Sequence, residues 1–390
     1  MASFGTLSDG TVDDRVRIVL NSQTVRIAES YQVKTAILQQ PSAFSLQLGT
    51  GDTAQTLIRK YPPRTPFQLR IGNLPQFSGE TDGYEASDGA GATQVAIKGR
   101  DYLARLHDAD VQAEQSFKDA NYAQMVRAAM KATGLSDRIL QVDNNANRKV
   151  RAGSGIYVIA APKTGTEVTE QASGKGVRHI IEAHLGETWL SFCNRHLERA
   201  GLFLWCDFEG NLVVSRPNPK QRAVYKFIRR RGQNQNICNV EHSKFLNDTT
   251  RRFSGVNVYS RTGGRKFHHT KLKGGFVDPE MIAFGYQRSR TFRDVAATTH
   301  EQAEFFARRK IAEANRAGWS LQYTLSGHVA PSLMGDGLAV ITPDTVARVQ
   351  DDEYGIDEDL YIESVEYRSP PTQTVVTMMR LKDLVFGADE

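Results

Sequence analysis

The sequence predicts an α+β protein of several domains, in which two regions of antiparallel β-structure flank a central α/β part. Three observations carry this. At 390 residues the chain exceeds what one hydrophobic core normally serves. Short segments alternating polar and apolar residues crowd into 15–99 and again into 320–381, the pattern of sheets with one wet face. Between them, residues 186–217 read as an amphipathic helix delivered into a tight β-hairpin.

Taken in order, residues 1–12 are rich in Gly, Ser, Thr and Asp and are expected to form a flexible arm. Strands are expected at 16–20, 31–38, 44–48, 67–71 and 94–98; Phe44-Ser45-Leu46-Gln47-Leu48 and Phe67-Gln68-Leu69-Arg70-Ile71 alternate most clearly. Gly72-Asn73 and Asp82-Gly83 are expected turns, and the close spacing of strands argues for a small barrel or sandwich over 13–108.

The central α/β domain, 109–218, begins with a helix over 121–134 that puts Tyr122, Met125, Val126, Ala129 and Met130 on one side and stops at Gly134. The Gly-, Ser- and Thr-rich stretch 153–176, with its apolar patch Ile156-Tyr157-Val158-Ile159, reads as a partly ordered connector. A second helix, 187–200, carries the stripe Trp189, Leu190, Phe192, Cys193, Leu197 and Ala200. Gly201 can take the left-handed conformation that ends a helix, and the hairpin follows: strand 202–206, a turn at Gly210-Asn211, and strand 212–215 before Pro217.

The third domain, 219–390, is expected to be a second β-region with a flanking helix and a basic loop insertion around 261–290. Strand-like segments lie near 239–244 and 255–261. The helix spans 299–317, with Thr298 and Glu301, or Thr299 and Gln302, as capping boxes and Gly318 closing the far end. Its apolar face is Ala303, Phe306, Ala307, Ile311 and Ala314. Strands return at 320–325, 338–341, 345–349, 360–365 and 374–381, so each β-rich region is able to close its own barrel.

Composition narrows the function classes. Hydrophobic content of 40% and charge of 24% describe an ordinary soluble protein, with no run of 18 apolar residues to insert in a membrane and no signal-peptide pattern at the start. Cys193, Cys206 and Cys238 are too few and too odd in number for a disulfide framework, which fits reduced thiols and assembly in a cytoplasm. Net charge is +5, but 216–273 carries +13, the remainder −8, and 333–390 alone −9. Such a split attracts an external polyanion, or lets one part or subunit hold another.

No cofactor, metal or catalytic residue is assigned. Cys193 and His196 could present two zinc ligands from one helix with Cys206 nearby, yet both thiols lie on apolar stripes and read as packed. His268-His269 reads as a pair of solvated imidazoles. Asp351, Asp352, Glu353, Asp357, Glu358 and Asp359 surround a turn and read as a solvated cluster, although a hydrolase would draw its acid pair from there. There is no phosphate-binding Gly loop and no nucleophile elbow. The leading candidates are basic, facing a channel or an interface: Arg229, Arg230, Arg231, Arg251, Arg252, Lys266, Lys271 and Lys273. Interleaved Tyr225, Phe227, Phe253, Tyr259 and Phe267 supply stacking rings for nucleic acid, or are simply the buried positions of half-exposed strands.

The order of parts resembles the baseplate hub proteins of contractile-tailed bacteriophages, the group typified by phage Mu. Ile97-Lys98-Gly99-Arg100-Asp101 with Leu103 and Leu106-His107-Asp108 resembles the end of their first barrel; Gly186-Glu187-Thr188, Gly201-Leu202-Phe203-Leu204 and Gly210-Asn211-Leu212-Val213 resemble their central domain. Ala314-Asn315-Arg316-Ala317-Gly318, Gly327 and Leu360-Tyr361-Ile362-Glu363-Ser364-Val365 resemble the second barrel, with His328-Val329 where the family commonly has a tryptophan. The resemblance implies two tail-tube-like barrels per chain and a non-enzymatic homotrimer. Its six barrels would form a pseudo-hexameric ring joining the hexameric tail tube protein to the trimeric central spike protein. Tape-measure protein and baseplate wedge proteins would be further neighbours, DNA would pass only in transit, and the place would be the tail baseplate of a virion assembled in the bacterial host cytoplasm. A DNA-binding tail protein and a cell-wall hydrolase are the alternatives.

Overall fold

A computed structural model describes residues 14–25, 28–38, 41–50, 54–89, 92–112, 116–118, 120–142, 156–160, 177–218, 220–230, 239–261, 271–294, 297, 300–334 and 337–384. The expected arm, Arg231, Cys238, Lys266, His268, His269 and the capping residues Thr298 and Thr299 lie outside the described residues.

The first region contains β1 (Val16–Leu20), β2 (Gln23–Val25), β3 (Ala28–Ala36), β4 (Ala43–Thr50), α1 (Ala54–Lys60), β5 (Pro66–Ile71), β6 (Leu74–Gly89), β7 (Ala92–Asp101) and α2 (Leu103–Asp108). Alternation does what the sequence implies: Phe67, Leu69 and Ile71 of β5 point inward, and Phe44 of β4 stacks on Phe67 with ring centres 3.7 Å apart. Gly72-Asn73 is the expected turn between β5 and β6. Asp82-Gly83 is not a turn: β6 runs through it, absorbing the residues as a shift of register between Thr81 and Gly83 against β7.

In the central part come β8 (Ser116–Lys118), α3 (Tyr122–Ala132), β9 (Leu140–Val142), β10 (Ile156–Ala160), β11 (Val177–Glu182), α4 (Trp189–Leu197), β12 (Phe203–Cys206) and β13 (Leu212–Ser215). α3 opens on a capping box in which the Asn121 side chain accepts from the Gln124 amide at 2.7 Å and the Gln124 side chain accepts from the Asn121 amide at 2.9 Å. α4 continues through a 3-10 turn to Gly201, whose φ of 68° starts the hairpin as expected. The apolar patch expected in a connector is instead β10, paired along its length with β11. α2, α3, α4 and the hairpin enclose one core with Met125, Trp189, Phe192 and Leu204 inside.

The third region holds β14 (Tyr225–Arg229), β15 (His242–Asn247), β16 (Gly255–Arg261), β17 (Lys271–Val277), α5 (Pro279–Ala283), β18 (Ser289–Arg293), α6 (His300–Gly318), β19 (Trp319–Ser326), β20 (Val329–Pro331), β21 (Leu338–Val340), β22 (Thr345–Asp351), β23 (Ile356–Ser369) and β24 (Gln373–Arg380). Within the supposed loop insertion, residues 271–290 are structured: β17 and β18 flank β16 in a separate three-stranded sheet, and 262–270 lie outside the described residues. Gly318 does not end α6 by a left-handed turn. It is the last helical residue before β19, and a Cβ there would sit 2.6 Å from the Asp248 carbonyl oxygen, so glycine serves close approach.

The two β-rich regions are one 13-stranded sheet. β23, at 14 residues, pairs with β22 through its first half and with β3 through its second, from Ser364 opposite Ala36 to Ser369 opposite Tyr31. Each half thereby covers an edge that the other would leave open. A single core runs through both, from Leu46 and Phe67 to Phe227, Tyr323 and Val365. Among the described residues the ends β2, β14 and β15 are not joined to one another, so neither half closes as a barrel there.

Candidate functional site

The basic segment divides into three environments. In the first, Arg252 is fully buried and belongs to the interior, so it faces neither channel nor partner. It follows a 3-10 turn, Thr249–Arg251, and points under α5 and α6. Its Nη2 donates to Asp278 at 3.1 Å and lies 3.2 Å from Glu280, and its Nε donates to Asn315 at 2.9 Å. Asn315 donates in turn to Asp278 and Asp383, while Arg380 and Lys382 reach Glu280 from the far end of the chain. Burial opposes ionisation of Glu280, but Lys382, Arg252 and Arg380 outweigh it and hold its carboxyl down at about 2. This network pins the three-stranded sheet to α6 and to the end of β24. Arg251, next in sequence, is exposed and pairs with Asp248 at 3.1 Å.

The second environment is the sheet β17-β16-β18. Alternation turns Val256 and Val258 inward onto Ala303, Ala307 and Ile311 of α6. Gly274 permits the contact, since a Cβ there would meet the Ala303 carbonyl carbon at 2.4 Å. Outward, one row crosses all three strands: Lys273 opposite Tyr259 opposite Arg293. All three are exposed, and the Lys273 Nζ lies 6.0 Å from the centre of the Tyr259 ring. The register continues to Lys271 opposite Arg261. None of the three strands contains an acidic residue, and among the described residues no carboxylate pairs with Lys273 or Arg293. At the other end of β17 Val277 is 56% exposed, and beyond it Ile282 and Phe284 are 49% and 60% exposed.

In the third, Arg229 and Arg230 at the end of β14 meet the acidic turn between β22 and β23. Parallel pairing sets Arg229 opposite Asp351, with 3.6 Å between their charged groups, and Arg230 donates to Asp352 at 2.8 Å. Asp351 is buried and accepts from the Tyr323 hydroxyl at 2.5 Å and from the backbone amides of Glu353 and Tyr354. It holds the turn together, and Asp357 is engaged by Arg348 at 2.6 Å; neither is poised as half of a hydrolytic acid pair.

Both described thiols, Cys193 and Cys206, are held well above the usual range by burial. His196 is buried with its ring 5.0 Å from that of Phe192, consistent with packing rather than ligation. Among the described residues no cluster of three or more His, Cys, Asp or Glu could hold a metal ion, and no helix is long and apolar enough to cross a membrane. A cavity of about 400 Å³ with a mixed polar and apolar lining lies where both sheet halves meet the hairpin tip. Burial raises two of its carboxyls, Asp101 to about 7 and Asp344 to about 6.

Sequence reasoning missed Arg293, Asp278, Glu280, Asn315, Arg380 and Asp383. For Arg293 a signal existed: residues 281–293 contain three arginines and no acid.

No family model and no curated protein matches the chain. Among solved structures, it is similar to the 43 kDa tail protein of prophage MuSo2 from Shewanella oneidensis, at 18% identity and TM-score 0.73, over 95% of this chain and 99% of that one. It is likewise similar to a tail protein from Neisseria meningitidis MC58, at 18% identity and TM-score 0.71, over 95% and 98%. A more distant likeness, at 8% identity and TM-score 0.50 over 93% and 76%, is to the E. coli c3393 protein, a type VI secretion component described as structurally similar to the T4 tail proteins gp27 and gp5. The fold is thus that of prophage and phage tail proteins, and the resemblance read from the sequence holds at that level.

Proposed function

We propose that this protein is the structural baseplate hub of a phage tail. Three copies form a ring in which the two sheet halves of each chain act as tube-like modules. Six such modules present pseudo-sixfold symmetry to the hexameric tail tube protein, while true threefold symmetry remains for the central spike protein. Tape-measure protein and wedge proteins contact the ring, and its opening carries the genome in transit.

One observation carries the reading: the chain matches tail proteins from end to end, rather than through one shared domain. The continuous sheet adds physical sense, since β3–β23 pairing makes the two halves of one chain a rigid pair. Rings close when a heterologous contact repeats by a rotation that returns to its start. The test is the native mass of the full chain: three copies of 43.4 kDa give about 130 kDa, and images of the particle should show six β-modules around an opening. A closed dimer, or a threefold particle with no sixfold arrangement of modules, would remove the proposal.

A further inference from the structure

We infer that the junction of the two sheet halves is an acid-sensitive latch, closed by His328 only while its imidazole is uncharged. The inference concerns a single chain and stands or falls independently of the ring proposed above.

His328 lies just ahead of β20, is 2% exposed, and packs against β3, β23 and β24. Its Nε2 is 2.8 Å from the hydroxyl of Tyr31, a residue of the first half, and its Nδ1 is 2.8 Å from the hydroxyl of Thr374. These two contacts fix the tautomer. Thr374 donates its one hydroxyl proton to the Gly327 carbonyl at 2.7 Å, so toward Nδ1 it accepts, and Nδ1 carries the hydrogen. Nε2 is then a bare acceptor, filled by the Tyr31 O–H. Burial pushes the Tyr31 phenol up to about 12, which keeps that proton available. One hydrogen-bonded chain thus runs from β3 through the imidazole to β24 and ends on the Gly327 carbonyl.

The latch sits where the ladder between the halves ends. Tyr31 faces Ser369 in the last rung of the β3–β23 pairing. Two residues earlier on β23, the Tyr367 ring meets the imidazole nearly at right angles, with centres 5.3 Å apart.

An imidazolium is ill suited to this place. Its second N–H would point at the Tyr31 hydroxyl, whose own proton would have to turn away, and its charge would be held out of water. The titratable groups that face the ring are Tyr31 of β3, Tyr367 of β23 and Asp14 ahead of β1; β20 and β21 contain none, and β24 meets it with Thr374. Both phenols are neutral and Asp14 is exposed, so burial prevails and pushes the imidazole down to about 4 from 6.5. The unfolded chain therefore takes up the proton first. The contribution of the latch is fully present above about pH 6.5 and is lost as pH falls toward 4. The shortest route by which the folded chain can hydrate a charged ring is to part Tyr31 from His328, which frees the Ser369 end of the β3–β23 ladder.

The experiment follows the full chain from neutral pH into acid. Nitrogen-15 spectra of the imidazoles should show His328 as the Nδ1–H tautomer at neutrality and still uncharged at about pH 5, where a solvated histidine is mostly charged. Between about pH 6 and 4.5, the folding constant of the wild type should fall about tenfold more per pH unit than that of His328→Gln, whose side-chain carbonyl can still accept from Tyr31. Reading the difference cancels Asp101 and Asp344, whose raised carboxyls act in the opposite sense. Hydrogen exchange, corrected for its intrinsic pH dependence, should lose protection at 31–36 and 364–369 in acid before it does in α6. A His328 that is charged at about pH 5 in the folded chain, a pH slope shared by the wild type and His328→Gln, or a junction that opens no earlier than α6 would each overturn the inference. The spectra and the exchange are read on the wild type, so they decide the matter even where the variant fails to fold.

Discussion

Arg229 and Arg230 on β14 and Lys273 and Arg293 on the small sheet differ little in sequence character, yet they end in opposite circumstances. The β14 arginines run parallel to β22, whose last residue is Asp351, so register alone delivers them to carboxylates of the acidic segment. The small sheet pairs only with itself, and its one covered face lies against α6, so its outward cations meet no acid among the described residues. Arg252 shows a third outcome, full burial made tolerable by Asp278, Glu280 and Asn315. A run of basic residues is therefore a poor guide to free charge; what matters is which strand lies alongside.

The comparison is broken most severely at Arg252. Replacing it by Met would leave buried Asp278 without its cation and take one of three from Glu280, and the urea midpoint should report a loss of about 3–5 kcal/mol. Next is Asp351→Ala, which would leave the Tyr323 hydroxyl and two backbone amides without their acceptor; about 2–3 kcal/mol is expected in the same measurement.

A smaller effect should follow acid. The Glu280 carboxyl is depressed in the folded chain to about 2 from 4.5, so the unfolded chain takes up the proton first. Its contribution is present above about pH 4.5 and is lost as pH falls toward 2. Urea midpoints measured against pH should show this slope, and Glu280→Gln should flatten it. The least effect is expected from Arg230→Ala, below about 1 kcal/mol because the pair is partly exposed, and Lys273→Ala should leave the midpoint unmoved. An unchanged midpoint for Lys273→Ala beside a slightly lowered one for Arg230→Ala would sharpen the contrast between the two regions.

The three longest helices were the most legible parts, whereas the short α1, α2 and α5 were not expected. α3, α4 and α6 declare themselves because Met125 and Val126, Trp189 and Phe192, or Ala307 and Ile311 recur at helical spacing and each stripe found a core. The hairpin β12–β13 was equally plain, since its turn and both strands are contiguous. β6 was hidden by Asp82-Gly83, which normally breaks a strand but here sits in a bulge supported by β7. β17 was hidden by Lys271-Leu272-Lys273-Gly274-Gly275, a loop by composition; β16 on one side and Ala303 against Gly274 on the other supply the order that local preference lacks. Of the site, Lys273 was legible as charge, but its exposed position and its partners Tyr259 and Arg293 were not.

By itself, then, the sequence determined the periodicities, and with them the three long helices, the hairpin and the alternating faces of most strands, because those depend on residues a few positions apart. Tertiary structure decided that β3 joins β23 and that two β-regions share one core, a meeting in which Gln32 donates to Glu366 across 334 positions at 2.6 Å. It also decided which arginines are spent, which is buried and which face outward. Shifting a strand by one residue exchanges the faces of every side chain on it, so these outcomes rest on long-range register, which no local pattern encodes.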